Sequence, residues 1–115
     1  MADCLFCKIV AGEIPAKVMK RSEDVLAFPD IDPKAPTHVL VIPTRHVPSV
    51  GSATGADGER LLGKVLAFTA ELARELGLER DGYRIVTNTG RNAGQSVDHM
   101  HLHLLGGRKL SWPPG

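Results

Sequence analysis

The chain has 115 residues, 43% hydrophobic and 23% charged, with a formal net charge of +1. That length suits one domain, residues 1–115, with a single core. The near-neutral charge without a basic run excludes a dedicated nucleic-acid surface, and no apolar run approaches the ~20 residues that cross a bilayer.

The start, Met1-Ala2-Asp3-Cys4, has no basic segment leading into a long apolar one, so no secretion signal is expected and the expected location is cytoplasmic. Cys4 and Cys7 form a C-x-x-C pair, which in a reducing compartment points to a metal half-site or a redox pair. No strand precedes it, which counts against a thioredoxin-like role. Phe6 to Ala11 reads as a short helix stopped by Gly12 and Pro15. Ala16–Arg21 and Val25–Phe28 read as strands, the second running into the turn segment Pro29-Asp30-Ile31-Asp32-Pro33. His38–Ile42, β-branched and apolar between Pro36 and Pro43, reads as a central strand.

From about Asp57 to Leu76, Leu61, Leu62, Val65, Phe68, Leu72 and Leu76 recur at helical spacing, and Gly77 is a natural stop. This is a core-covering helix without chemistry of its own. Tyr83–Asn88 alternates as a strand, a glycine-rich loop follows to Ser96, and the tail from Gly106 onward is extended. The pattern predicts an α+β fold: an antiparallel meander of about five strands, with one long helix on one face and a short N-terminal helix.

The decisive segment is His99-Met100-His101-Leu102-His103-Leu104-Leu105. On a strand these alternate, so the three imidazoles share one face and Met100, Leu102 and Leu104 the other. Burying a row of imidazoles is costly unless they have partners. Two uses fit: a metal site, or nucleophilic catalysis with neighbouring imidazoles managing charge and protons. Spacing alone leaves both open. Just upstream, Gly94-Gln95-Ser96 can bring backbone N–H groups close to an anion, with Asn88 and Ser96 as further donors. Asp30, beside Phe28 and Ile31, offers a carboxylate for ribose hydroxyls next to apolar walls for a base. His38 and His46 complete the count of five histidines.

These residues together resemble the histidine-triad (HIT) family, whose signature His-φ-His-φ-His-φ-φ is matched from His99 to Leu105. Phe28–Pro33, Pro36-Thr37-His38, Val41-Ile42-Pro43, Gly94–Val97, Leu105–Arg108 and Trp112–Gly115 resemble its Hint branch of nucleoside phosphoramidases. The tail argues against the branch of dinucleoside polyphosphate hydrolases. The resemblance implies a HIT-like fold whose sheet continues across a homodimer. It implies cleavage of the P–N bond of purine nucleoside 5′-phosphoramidates, such as AMP–lysine or AMP–amine conjugates, through a nucleotidyl-histidine. The alternatives are a dinucleoside polyphosphate hydrolase and a nucleotide-binding interaction protein with incidental hydrolysis.

By position, the resemblance implies His101 as nucleophile, His103 on the α-phosphate, His38 in support and Ser96 near the leaving group. Leu5, Phe6, Ile9, Phe28 and Ile31 would surround the purine and Asp30 would hold the ribose. Asn88, Gly94 and Ser96 would contact phosphate, Gln95 and Val97 would add to the substrate site, and Trp112 would reach toward the partner's site. The cysteine pair resembles the half-site of bacterial HIT proteins, which implies a structural zinc on Cys4, Cys7, His46 and His99. No cofactor is required for the chemistry itself. The attacking nitrogen must be unprotonated, so the other nitrogen of His101 is expected to donate to a backbone carbonyl or similar acceptor.

Overall fold

The computed structural model describes residues 3–115. In chain order the elements are α1 (Leu5–Val10), β1 (Lys20–Arg21), β2 (Val25–Pro29), β3 (Thr37–Pro43), a short 3₁₀ turn (Val50–Ser52), α2 (Gly55–Glu75), β4 (Tyr83–Thr87) and β5 (Leu102–Gly106). They form the five-stranded, wholly antiparallel sheet with one long and one short helix that the sequence predicts.

The order is β1-β2-β3-β5-β4, which corrects the expected meander. The connection carrying α2 is long enough to skip a position, and β5 returns into the gap. Burial explains the choice. Leu102 and Leu104 of β5 are buried on one face of a central strand, whereas β4 is only half-buried and takes the edge.

Alternation along β2, β3 and β5 divides the core in two. Val25, Ala27, Val39, Val41, Met100, Leu102 and Leu104 pack beneath Leu61, Val65, Phe68 and Leu72 of α2. Leu26, Phe28, Leu40 and Ile42 face the other way, against Phe6 of α1. Because both faces of β2 and β3 are covered, these strands read as unbroken apolar runs rather than as an alternation.

Two expected strands are shorter than their sequence patterns, and in both cases a proline stops the ladder. Continuing the β1–β2 register from Lys20↔Ala27 sets Val18 opposite Pro29, which has no N–H to give. The paired strand therefore covers only Lys20–Arg21, not Ala16–Arg21. Continuing β3–β5 beyond Val41↔Leu102 sets Met100 opposite Pro43. The histidine segment therefore enters the sheet only at Leu102. Upstream it is held by other bonds: Met100 N–H donates to the Val47 carbonyl (2.7 Å) and Thr87 Oγ1 donates to the His101 carbonyl (3.0 Å). No helix among the described residues is long and apolar enough to cross a membrane.

Candidate active site

The six residues of α1 cover only part of their face, and the uncovered remainder is a cleft of about 600 Å³. Its apolar wall is made by Leu5, Phe6 and Ile9 of α1 with Phe28 and Leu40 of the sheet, and its floor and polar end by His101, His103, Asp30, Ser96 and Val97. The rings of Phe6 and Phe28 meet edge-to-face at 5.7 Å. Phe6 also stands edge-on to His101 at 5.2 Å, fixing the imidazole from the apolar side. A planar aromatic ligand fits such walls, with polar groups grouped at one end.

The protonation of the two cleft histidines is set by their partners. His101 is buried, and its Nδ1 lies 2.8 Å from the His99 carbonyl oxygen. A carbonyl only accepts, so Nδ1 carries the proton and Nε2 keeps a lone pair, as expected from the sequence. His103 is the reverse. The Lys34 backbone N–H donates to His38 Nδ1 (3.0 Å), so neutral His38 carries its proton on Nε2. That Nε2 lies 2.9 Å from His103 Nδ1 and donates to it. His103 therefore holds its own proton on Nε2. Burial pushes the His38 imidazole below its ordinary range, with the Asp30 carboxylate opposing. Burial likewise lowers His103, and His101 and His38 add to the effect. The cleft thus presents a nucleophilic nitrogen on one ring and an N–H donor on the next, with ring centroids 5.2 Å apart.

Asp30 follows directly from β2 and turns back on itself. Its Oδ1 accepts the Asp32 N–H (2.8 Å) and its Oδ2 approaches His38 Nε2 at 3.4 Å. The carboxylate is therefore fixed at the cleft mouth while one of its oxygens lies beside the histidine pair.

A HIT domain model matches residues 11–110. The chain belongs to the HIT family. It is 44% identical over 108 residues to the purine nucleoside phosphoramidase of Escherichia coli K12, covering 94% of this chain and 90% of that protein. It is 47% identical over 113 residues to an uncharacterized HIT-like protein of Synechocystis, covering 98% and 97%. Its structure superposes with a TM-score of 0.94 on a HIT family hydrolase from Legionella pneumophila at 49% identity, covering 98% of this chain and 100% of that one.

Of the expected HIT site residues, the structure gathers Leu5, Phe6, Ile9, Phe28, Asp30, Ile31, Ser96, Val97, His101 and His103 around one cleft, with His38 directly behind His103. Ile31 stands fully exposed at the rim. Asn88, Gly94, Gln95 and Trp112 lie outside the lining. The Gln95 carboxamide is fully occupied: Oε1 accepts from Gly90 N–H (2.9 Å), and Nε2 donates to the carbonyls of Pro48 (2.7 Å) and Val97 (3.0 Å). It braces the loop. Gly94 adopts φ +82°, the left-handed turn that a side chain would resist. Trp112 is 79% exposed, and the Arg84 guanidinium lies 5.8 Å from its ring centroid. Sequence reasoning missed Ile14, Pro15, Ala16, Lys17, Pro29 and Leu40, which also line the cleft. Leu40 was findable, since it shares strand parity with His38 and Ile42. Ile14 and Pro15 fall outside every element the sequence predicts, and Ala16 and Lys17 fall at the start of an expected strand.

His99 parts from its two neighbours. It is fully buried, and its Nε2–H donates to the Pro43 carbonyl (2.9 Å), leaving the Nδ1 lone pair aimed at the cysteines. Burial holds this imidazole below its ordinary pKa range. Nδ1 lies 3.3 Å from Cys4 Sγ and 3.6 Å from Cys7 Sγ, and His46 Nδ1 lies 3.3 Å from Cys7 Sγ. All four ligand atoms fall within 4.8 Å of one another. Tetrahedral zinc, with bonds of about 2.3 Å to sulfur and 2.0–2.1 Å to nitrogen, holds such atoms roughly 3.5 Å apart. The donor set and spacing fit zinc, and the Pro43 carbonyl would be the outer partner that orients His99 as a ligand.

Proposed function

We propose that this chain is a purine nucleoside phosphoramidase working through a nucleotidyl-histidine. The observation that carries the reading is the 2.8 Å bond from His101 Nδ1 to the His99 carbonyl, which leaves Nε2 free beside an aromatic-walled cleft. A purine sits among Phe6, Ile9 and Phe28, its ribose hydroxyls on Asp30. His101 Nε2 attacks the α-phosphorus in line, the P–N bond to the leaving group breaks, and the amine departs with a proton. Water then cleaves the P–N bond to His101, releasing nucleoside monophosphate and the free imidazole. The gain is one difficult displacement divided into two easier ones. The Nε2–H of His103 donates to the phosphoryl oxygen, where charge accumulates, and Ser96 serves the leaving-group side.

In the same reading, Cys4, Cys7, His46 and His99 hold a structural zinc. It supplies cross-linking, tying α1 to the segment that carries the nucleophile; the chemistry needs no cofactor. Two copies pair, with the sheet continuing from one to the next at the free edge of β4. A C-x-x-C pair used as metal ligands suits a reducing compartment, in keeping with a cytoplasmic enzyme.

The test is turnover of a fluorogenic adenosine phosphoramidate by wild type and His101→Ala side by side, with mass spectrometry of the quenched wild-type reaction. Fast wild-type turnover, a mass increment of one nucleotidyl group and loss of both in the variant are expected. A folded wild type that binds adenosine monophosphate and turns over no phosphoramidate would overturn the reading.

A further inference from the structure

The Nε2 side of His38 faces two groups. His103 Nδ1 is at 2.9 Å and Asp30 Oδ2 at 3.4 Å, while Nδ1 on the far side of the ring already accepts from Lys34 N–H. Neutral His38 has a single N–H, which donates to His103, and the Asp30 charge stands beside that bond. Asp30 is the group that holds the ribose in the proposed function.

Resting on that reading, we infer that Asp30 is also a positioning residue, linking sugar recognition to the proton shared by His38 and His103. With the cleft empty, the carboxylate charge lies next to the pair and favours holding an extra proton there. When ribose hydroxyls donate to the carboxylate, they take up its lone pairs and spread its charge. Its electrostatic pull on the pair weakens, and the His38 N–H stays with His103 Nδ1. His103 is then held neutral with its proton on Nε2, the form that donates to a phosphoryl oxygen. Docking the sugar thus sets the donor that meets the phosphate, through one intervening ring.

The surrounding groups are consistent with this direction. Asp30, Asp32 and Lys34 in the turn and His103 on β5 face His38; His38, Asp30 and His101 face His103. Asp30 opposes the effect of burial on both rings, as does Asp32 on His38, whereas Lys34 reinforces it on His38 and the His101 and His38 imidazoles reinforce it on His103. Within hydrogen-bonding or ion-pairing distance of the His38 ring, Asp30 is the anion that a nucleoside can engage.

The test reads imidazole titration by nuclear magnetic resonance on the full chain, without turnover. Asp30→Asn keeps an oxygen to accept the Asp32 N–H, so the turn is retained while the charge is removed. In that variant the midpoints of His38 and His103 are expected to fall by about one unit. On wild type, saturating adenosine is expected to lower them further than saturating 2′,3′-dideoxyadenosine, which fills the base slot without engaging Asp30. Unchanged midpoints in Asp30→Asn, or equal shifts with the two nucleosides, would overturn the inference. If neither nucleoside perturbs the cleft, the nucleotide reading fails, and the Asp30→Asn titration still decides whether the carboxylate controls the pair.

Discussion

On one face of the sheet, Val39, Val41, Leu102 and Leu104 lie beneath the 21 residues of α2, and every position is filled. On the other, Leu40 and the imidazoles of His101 and His103 face an α1 of six residues, which leaves a cleft. The same strands serve both faces, at alternate positions. The difference lies in the length of helix laid over each. A long amphipathic helix removes apolar area from water along the whole sheet and carries stability. A short one leaves sheet exposed, and the polar side chains that line the gap find partners in backbone carbonyls and in one another. Stability and chemistry are separated across a single layer of strands.

The comparison can be broken from either side. The largest effect belongs to the open face: His101→Ala should cut phosphoramidase turnover by about 10³-fold or more, the scale on which nucleophile loss registers elsewhere. Adenosine monophosphate affinity should stay within a few-fold, because Asp30 and the aromatic walls remain. Equal losses in calorimetric affinity and in rate would instead make His101 a binding contact. On the sealed face, Leu104→Ala should lower unfolding free energy by about 2–5 kcal/mol, while kcat of the folded fraction is preserved. Leu104 is fully buried beneath α2, and denaturant unfolding reads the change. A Leu104 variant that unfolds normally but loses kcat would show that the faces are not independent.

Cys4→Ser joined to Cys7→Ser should raise KM for the phosphoramidate several-fold more than it lowers kcat. Zinc on the cluster would anchor α1, and α1 supplies Leu5, Phe6 and Ile9 to the cleft. Metal analysis of the untagged protein should find one zinc per wild-type chain and none in the variant. The smallest effect is on pH. His38 and His103 are pushed below their ordinary pKa in the folded chain, so the unfolded chain binds more protons in that interval. Their contribution is fully present above about pH 6.5 and is lost as pH falls through the lowered folded values. The thermal midpoint should therefore drop on acidification from 7 to 5, and His103→Asn should make that drop shallower.

Much of this was legible in the sequence. Leu61, Val65, Phe68 and Leu72 announce α2 because 3.6-residue periodicity survives in any one-sided helix. Met100, Leu102 and Leu104 announce their face because strand alternation holds even where hydrogen-bonded pairing has stopped. The HIT signature separated His101 and His103 from a generic metal row, which spacing alone had left open. The strand order was not legible, since it depends on where β5 returns after a long connection. The cleft wall at Ile14 to Lys17 was hidden for a related reason: it is chain without a ladder, so neither strand alternation nor helical spacing says which way its side chains face. The role of Gln95 was also concealed, because a glutamine beside a glycine looks the same whether it meets a ligand or three backbone groups.

That carboxamide has a thermodynamic consequence. By joining Gly90, Pro48 and Val97, Gln95 closes the loop ahead of the histidine segment before any ligand arrives. The ordering entropy of those residues is thus met during folding and is not charged against association. Nucleotide capture should proceed with a small entropic penalty and a loop that moves little. Gln95→Ala would transfer that cost to the binding step, weakening the complex through a residue outside the cleft lining.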